Sequence, residues 1–337
     1  MPLRQNLTLP FMTSDLSGPL LVLLPSFGRY LRSQNRAENT VEGYTYAARR
    51  IAGWLTTPSP DDPDDMPRPV DSWDQVTTHH VEGYLASLIA ERSSGYANNQ
   101  FRALQQWFKW LAKEDEIAAS PLTGMSPPKV KAKMTFVLSE DQCRALIATC
   151  KPTLPRGAAR ARGLWGNDEF VARRDEALIR LWLDCGIRRA EMAGLSTKDI
   201  NLDTRRALVT GKGDKQRIVR FGRKTANAVD RYLRVRARHK QADLPALWLG
   251  EKNRGPLTGS GLYQLVERRA QQIGVPLHPH TFRHTFSHYY RASGGGDDDL
   301  MELNGWTSRA MLSVYGKSVA AERALSAYDQ HSLGDKL

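Results

Sequence analysis

The chain has 337 residues, 41% hydrophobic and 25% charged, which is longer than one hydrophobic core usually serves, so two domains are expected. Its formal net charge is +12, and residues 1–134 carry as many acidic as basic side chains, so the whole excess lies in 135–337. Cys143, Cys150 and Cys185 form no CxxC pair, which argues against a disulfide framework or a structural zinc site, and the apolar run "LLVLLP" at 20–25 is too short to span a bilayer. No signal peptide is read at the N-terminus, so a cytoplasmic setting without a membrane is expected. Positive charge gathered in one region points to a polyanionic partner, nucleic acid first; a basic but unspecialised surface is the plain alternative.

In chain order, the pattern from Leu20 to about Ile117 is helical. "NTVEGYTYAARRIAGWL" offers Asn39 and Thr40 as N-caps and places Val41, Tyr44, Ala48, Ile51 and Leu55 at steps of three and four. The prolines and aspartates of "PSPDDPDDMPRP" at 58–69 break that pattern as a loop. "YANNQFRALQQWFKWLAK" sets Ala97, Phe101, Leu104, Phe108 and Leu111 on one face and Arg102, Gln106, Lys109 and Lys113 on another, a basic stripe that is either a solvated face or a contact surface. "SPLTGMSPPKVKAKMTF" at 120–136 reads as an extended, basic interdomain linker.

In the second part, Ser139 before an acidic turn starts a helix, and "DEALIRLWLDCGI" is a buried helix ending near Gly186. "RALVTGKGDKQRIVRF" reads as two short strands around a Gly-rich turn, and helical patterns resume from Ser260. The fold class is therefore mainly α, with one small antiparallel β element in the second part.

Four stretches carry candidate chemistry. In "CGIRRAE", Glu191 lies three residues after Arg188 and can orient its guanidinium toward a phosphate; a surface ion pair is the alternative. In "GKGDKQR", Lys212 sits at a hairpin tip from which it can reach a leaving oxygen, with Lys215 as a competitor; a solvated turn lysine is the alternative reading. "HPHTFRHTFSHYY" holds four of the eight histidines. His280, His284 and His288 recur every four residues as metal ligands can, but Arg283 in their midst would repel a cation and suits a phosphate, so metal, anion and ordinary helix surface all remain open. In "NGWTSRAMLSVYG", Gly305 provides a turn, and Tyr315 is either a packing residue or, if surrounded by cations, a nucleophile.

Taken in order, Arg188, Lys212, His280-x-x-Arg283, Trp306 and Tyr315 resemble the signature of the tyrosine recombinase or phage integrase family, over nearly the whole chain. Trp306 stands where the family commonly has histidine, and Ile187 and Phe282 where it commonly has leucine. The resemblance implies an N-terminal helical core-binding (SAM-like) domain over 15–125, a linker over 126–134, and over 135–337 a mostly helical catalytic domain with a small antiparallel β-sheet. It further implies a site-specific DNA recombinase, of the Cre-like or Xer-like kind without an arm-binding domain.

By the same resemblance, Tyr315 attacks a DNA phosphate to give a 3′-phosphotyrosyl intermediate and a free 5′-hydroxyl, with neither metal nor other cofactor. Arg188 and Arg283 stabilise charge on the phosphate, and Lys212 is the general acid. His280 donates to the phosphate or takes the tyrosine proton, and Trp306 offers its N–H and excludes water. Glu191 and His284 support them. Thr40, Asn99, Arg102 and Lys109 are candidate DNA contacts. The implied partner is a double-stranded target site held by a homotetramer on two duplexes, each C-terminal helix docking on a neighbouring subunit, in a nucleoid-associated cytoplasmic setting. A type IB topoisomerase-like relaxing activity and a non-catalytic DNA-binding protein are the alternatives.

Overall fold

The computed structural model describes residues 18–58, 68–130, 135–152, 165–211, 213–312 and 328. The chain divides into two compact units, 1–133 and 134–337. Lys212, Tyr315, most of the acidic loop and, apart from Tyr328, the C-terminal tail lie outside the described residues.

The first unit is built from helices α1 (Leu24–Ser33), α2 (Glu38–Leu55), α3 (Thr78–Glu91) and α4 (Ser94–Lys113). The three-and-four spacing of α4 buries Ala97, Phe101, Leu104, Phe108 and Leu111 completely, while Asn99, Arg102 and Lys109 stay exposed on the opposite side. Trp107 is the hub of the aromatic core, edge-on to Phe27 at 5.0 Å and to Trp73 at 5.1 Å. The N-cap of α2 is Ala37, which makes no side-chain cap bond, and not Asn39 or Thr40. The Thr40 N–H already bonds to the Ala37 carbonyl at 2.8 Å, so Thr40 sits inside the first turn. Side-chain caps do open α3 and α4, from Thr77 and Ser93.

In the second unit, α5 (Glu140–Ala148) starts at Ser139 with a reciprocal Ser139–Gln142 capping box. The long α6 (Trp165–Cys185) carries the core, and α7 (Arg189–Gly194) follows almost at once. A three-stranded antiparallel sheet, β1 (Ile200–Asn201), β2 (Arg206–Thr210) and β3 (Gln216–Arg220), comes next in the order β1-β2-β3. Its β2–β3 register pairs Ala207 with Val219 and Leu208 with Ile218; the former pair is buried, the latter exposed. α8 (Arg223–Arg236), α9 (Gly259–Gln272), α10 (Pro279–Ala292) and α11 (Asp297–Asn304) complete the described elements.

Two of these elements go beyond the sequence expectation. β1 contributes only two residues, and α8 falls where no helix was assigned before Ser260. Its four arginines, at 223, 231, 234 and 236, interrupt an apolar face reduced to Ala228, Val229 and Tyr232. Arg236 is itself buried, donating to the carbonyls of Ala242, Leu244, Ala246 and Leu247 and so tying down the segment that follows α8. Trp182 of α6 stacks on Phe282 of α10 with ring centroids 5.2 Å apart and planes 9° from parallel, which fixes α10 against the main helix. No helix among the described residues is long and apolar enough to cross a membrane.

Candidate active site

α6 ends in a left-handed turn at Gly186, whose φ is +56°. A Cβ there would lie 2.6 Å from the Phe286 ring, so both conformation and space demand glycine. The turn aims two groups. Its own carbonyl accepts from Nη1 of Arg283 at 3.0 Å, and two residues later Arg188 becomes the N-cap of α7.

From that position the Arg188 N–H donates to Oε2 of Glu191 at 2.7 Å and its Nη1 to Oε1 at 2.8 Å. The i,i+3 pairing read from the sequence is therefore present. Glu191 is not left to Arg188 alone. Arg217 of β3 donates from Nη1 to Oε1 at 2.9 Å and from Nη2 to Oε2 at 2.8 Å, a bidentate pair. Burial disfavours the Glu191 charge, but the bonds from Arg217 and from the Arg188 main chain and side chain outweigh it, and the carboxyl is pulled down to about 2. Sequence reading missed Arg217. It shares the inward face of β3 with buried Val219, two residues on, and a cation on that face needs a buried partner.

α11 closes with a Schellman motif. Gly305, at φ +60°, donates to Glu302 at 3.0 Å, and Trp306 donates to Met301 at 2.9 Å. The next three carbonyls each accept from a different arginine: Leu303 from Nε of Arg217 at 2.8 Å, Asn304 from Nη2 of Arg283 at 2.5 Å, and Gly305 from Nη2 of Arg188 at 3.3 Å. A helix C-terminus carries partial negative charge, which favours this arrangement. Trp306 then packs with its ring 5.2 Å from the Arg283 guanidinium carbon, within cation–π range.

α10 supplies Arg283 and the histidines. His278 is its N-cap, exchanging contacts with Thr281 Oγ1. His280 and His284 lie edge-to-face with centroids 4.6 Å apart. Desolvation, then Arg283, His278 and Arg188, lowers the pKa of His280. Desolvation, then His280, His278 and Arg283, brings His284 to about 4. Neutral imidazole is thus favoured at both, so each ring keeps one nitrogen able to accept a proton.

Of the residues expected from the sequence, Arg188, Glu191, His280, Arg283, His284 and Trp306 come together on α7, α10 and the turn after α11. Lys212 and Tyr315 lie outside the described residues. The hairpin that bears Lys212 is closed by Gly211 N–H donating to the Lys215 carbonyl at 2.8 Å. Leu312, three residues before Tyr315, is buried with Leu300 and Trp306. Asn99, Arg102 and Lys109 belong to the other unit, together on the exposed side of α4, and Thr40 is half-buried on α2.

Three guanidiniums against one carboxylate leave a positive cluster, walled on one side by an indole and fixed by main-chain oxygens, which is suited to a single phosphate group. Residues 137–322 match the phage integrase family, and residues 23–117 match the N-terminal SAM-like domain of phage integrases. The chain belongs to the phage integrase family; it is a tyrosine recombinase. Within this recombinase every residue of the cluster, as well as Lys212 and Tyr315, falls in the matched 137–322 span, and α4 falls in the SAM-like span.

Among curated relatives, the recombinase is 32% identical to tyrosine recombinase XerC of Alcanivorax borkumensis over 72% of its own length and 76% of the relative's. It is 25% identical to tyrosine recombinase XerC of Azotobacter vinelandii over 91% and 94%. Its fold is similar to that of XerH site-specific recombinase in a post-cleavage complex with a palindromic difH substrate, with a TM-score of 0.65, 17% identity, and 95% and 99% of the two chains covered. A lambda integrase dimer bound to a COC′ core site gives 0.62 at 16% identity, covering 87% and 75%.

Proposed function

We propose that this tyrosine recombinase cuts and rejoins DNA at a specific site, with Tyr315 as nucleophile. The phenol oxygen forms a bond to a DNA phosphorus as the bond to the 5′-oxygen breaks, leaving a 3′-phosphotyrosyl enzyme and a 5′-hydroxyl. His280, favoured in its neutral form, takes the phenol proton, and Lys212 supplies one to the leaving 5′-oxygen. Attack by a 5′-hydroxyl from a second duplex reverses the step and exchanges strands. The ester conserves the free energy of the original bond, so no nucleotide is consumed.

The observation that carries this reading is the convergence of Arg188 and Arg283, far apart in the chain, on the adjacent carbonyls of Gly305 and Asn304 beside Trp306. Two fixed cations at one point are what the doubly charged phosphorane-like transition state needs, and preorganised charge of this sort is commonly the largest contribution to rate. Trp306 shields the site from water, while Glu191 and His284 hold their neighbours in place.

The helical unit contacts the flanking duplex through Thr40, Asn99, Arg102 and Lys109, and the domains run over 15–125 and 135–337 with 126–134 as linker. The working assembly is a homotetramer on two duplexes in the cytoplasm, with the C-terminal helix of each subunit on its neighbour.

The test is to incubate the full chain with a pool of nicked suicide duplexes of randomised core sequence and to sequence the DNA that stays attached after denaturation. A covalent adduct, lost in Y315F while DNA binding persists, is expected. An adduct undiminished in Y315F, or none with the native chain, rejects the reading. Relaxation of supercoiled DNA irrespective of sequence would favour the topoisomerase-like alternative.

A further inference from the structure

Glu191 is 3% exposed and is shared by two arginines of unequal standing, Arg188 at 42% exposure and Arg217 at 8%. We propose that Arg217 is a positioning residue that neutralises Glu191, leaving the charge of Arg188 uncompensated for the DNA phosphate. This rests on the phosphate-binding role given above to Arg188.

The division of labour follows from the donors. Arg217 spends Nη1 and Nη2 on the two carboxylate oxygens and Nε on the Leu303 carbonyl, so all its nitrogens face protein. Arg188 gives the carboxylate a single side-chain N–H, from Nη1, and is the guanidinium that reaches solvent. With both arginines present the triad is positive. With Arg217 removed, Arg188 and Glu191 cancel, and an approaching phosphate meets a neutral pair.

The surroundings leave room for the clamp. A Cβ on Gly211 would lie 3.3 Å from Oε1 of Glu191, and one on Gly305 would lie 3.4 Å from Cδ and Nη1 of Arg217, both tighter than ordinary van der Waals contact or at its limit. The low pKa of Glu191 supports the same picture, since the group to be neutralised is ionised across the neutral range.

The test measures covalent adduct formation on the duplex recovered by the suicide selection, together with DNA affinity and melting temperature. R217M is expected to cleave at least about tenfold more slowly than the native chain while binding DNA within about threefold. Two further variants separate charge from scaffolding. E191Q/R217M, which removes the unneutralised carboxylate, is expected to recover at least about fivefold over R217M. R217K keeps the positive charge but cannot reproduce the fork, and is expected to stay within about threefold of native.

The proposal is overturned if R217M cleaves at the native rate, if the double variant is no faster than R217M, or if R217K falls as far as R217M. Should R217M melt before the assay temperature, R217Q takes its place and the R217K comparison stands by itself. A native chain that forms no adduct would reject the strand-cleavage reading first and this inference with it, a result distinct from any of the variant outcomes.

Discussion

Arg283 donates from Nη2 to the main-chain carbonyl of Asn304 at 2.5 Å, although the two residues lie on different helices. Its Nη1 spans to Gly186, so a single guanidinium, 1% exposed, joins the end of α6 to the end of α11 through α10. Arg283→Lys can satisfy one of these carbonyls and leaves the other without its charged donor. Unfolding in urea should show a loss of about 1–3 kcal/mol, and adduct formation should fall by about 100-fold. A variant as stable as the native chain would mean that neither carbonyl depends on Arg283.

Gly186→Ala tests the turn that aims both Arg188 and Arg283. The left-handed backbone costs a residue with a Cβ about 1–2 kcal/mol, and contact with the Phe286 ring adds to this. A combined loss of about 2–4 kcal/mol in denaturant unfolding is expected. A change under about 0.5 kcal/mol would show that the turn relaxes without penalty.

Acid should weaken the protein in two stages. His284 is held at about 4 in the folded chain against its ordinary 6.5, so between those values the unfolded chain binds the proton more readily, and stability falls as pH drops through that range. Glu191 is held at about 2 against 4.5, so its contribution is intact above 4.5 and lost as pH falls toward 2. His284→Gln should flatten stability against pH in the first range only, as measured by urea unfolding at about pH 7 and about pH 4.5. Equal slopes for variant and native chain would remove His284 as the cause.

The α4 face makes a prediction about salt. If Arg102 and Lys109 each meet a DNA phosphate, replacing either with alanine should lower the slope of log affinity against log salt by about 1. Affinity for matched and unrelated duplexes should fall together, because phosphate contacts carry no sequence information. An unchanged salt slope would take these two side chains off the DNA.

Much of this was legible because it is local. The apolar period of α4, the glycine after α6 and the Ser139 cap each announce themselves within a few residues, and the physics that fixes them acts at the same range. The site motifs were legible for a different reason, since Arg188, His280-x-x-Arg283 and Trp306 match a family pattern. Arg217 was missed because its meaning depends on Glu191, a partner that only tertiary folding brings near, although its place beside Val219 on the inward side of β3 was a clue. α8 was missed because arginines that fold back onto carbonyls, as Arg236 does, look like solvent-facing breaks in an apolar pattern. The expectation that Asn39 or Thr40 caps α2 failed because a favourable residue type does not fix where the first helical bond forms.

The run Leu303, Asn304, Gly305 has a consequence for what changes the protein can accept. Each successive peptide unit there takes one guanidinium, so the order in which the three cations are anchored is metered by the chain's own repeat. Inserting or deleting one amino acid in this run would slip the ruler by a notch and hand every cation its neighbour's oxygen, spoiling three anchors by a single edit. Its length is fixed by this arrangement, and so is the glycine at 305, which takes a left-handed φ of +60°.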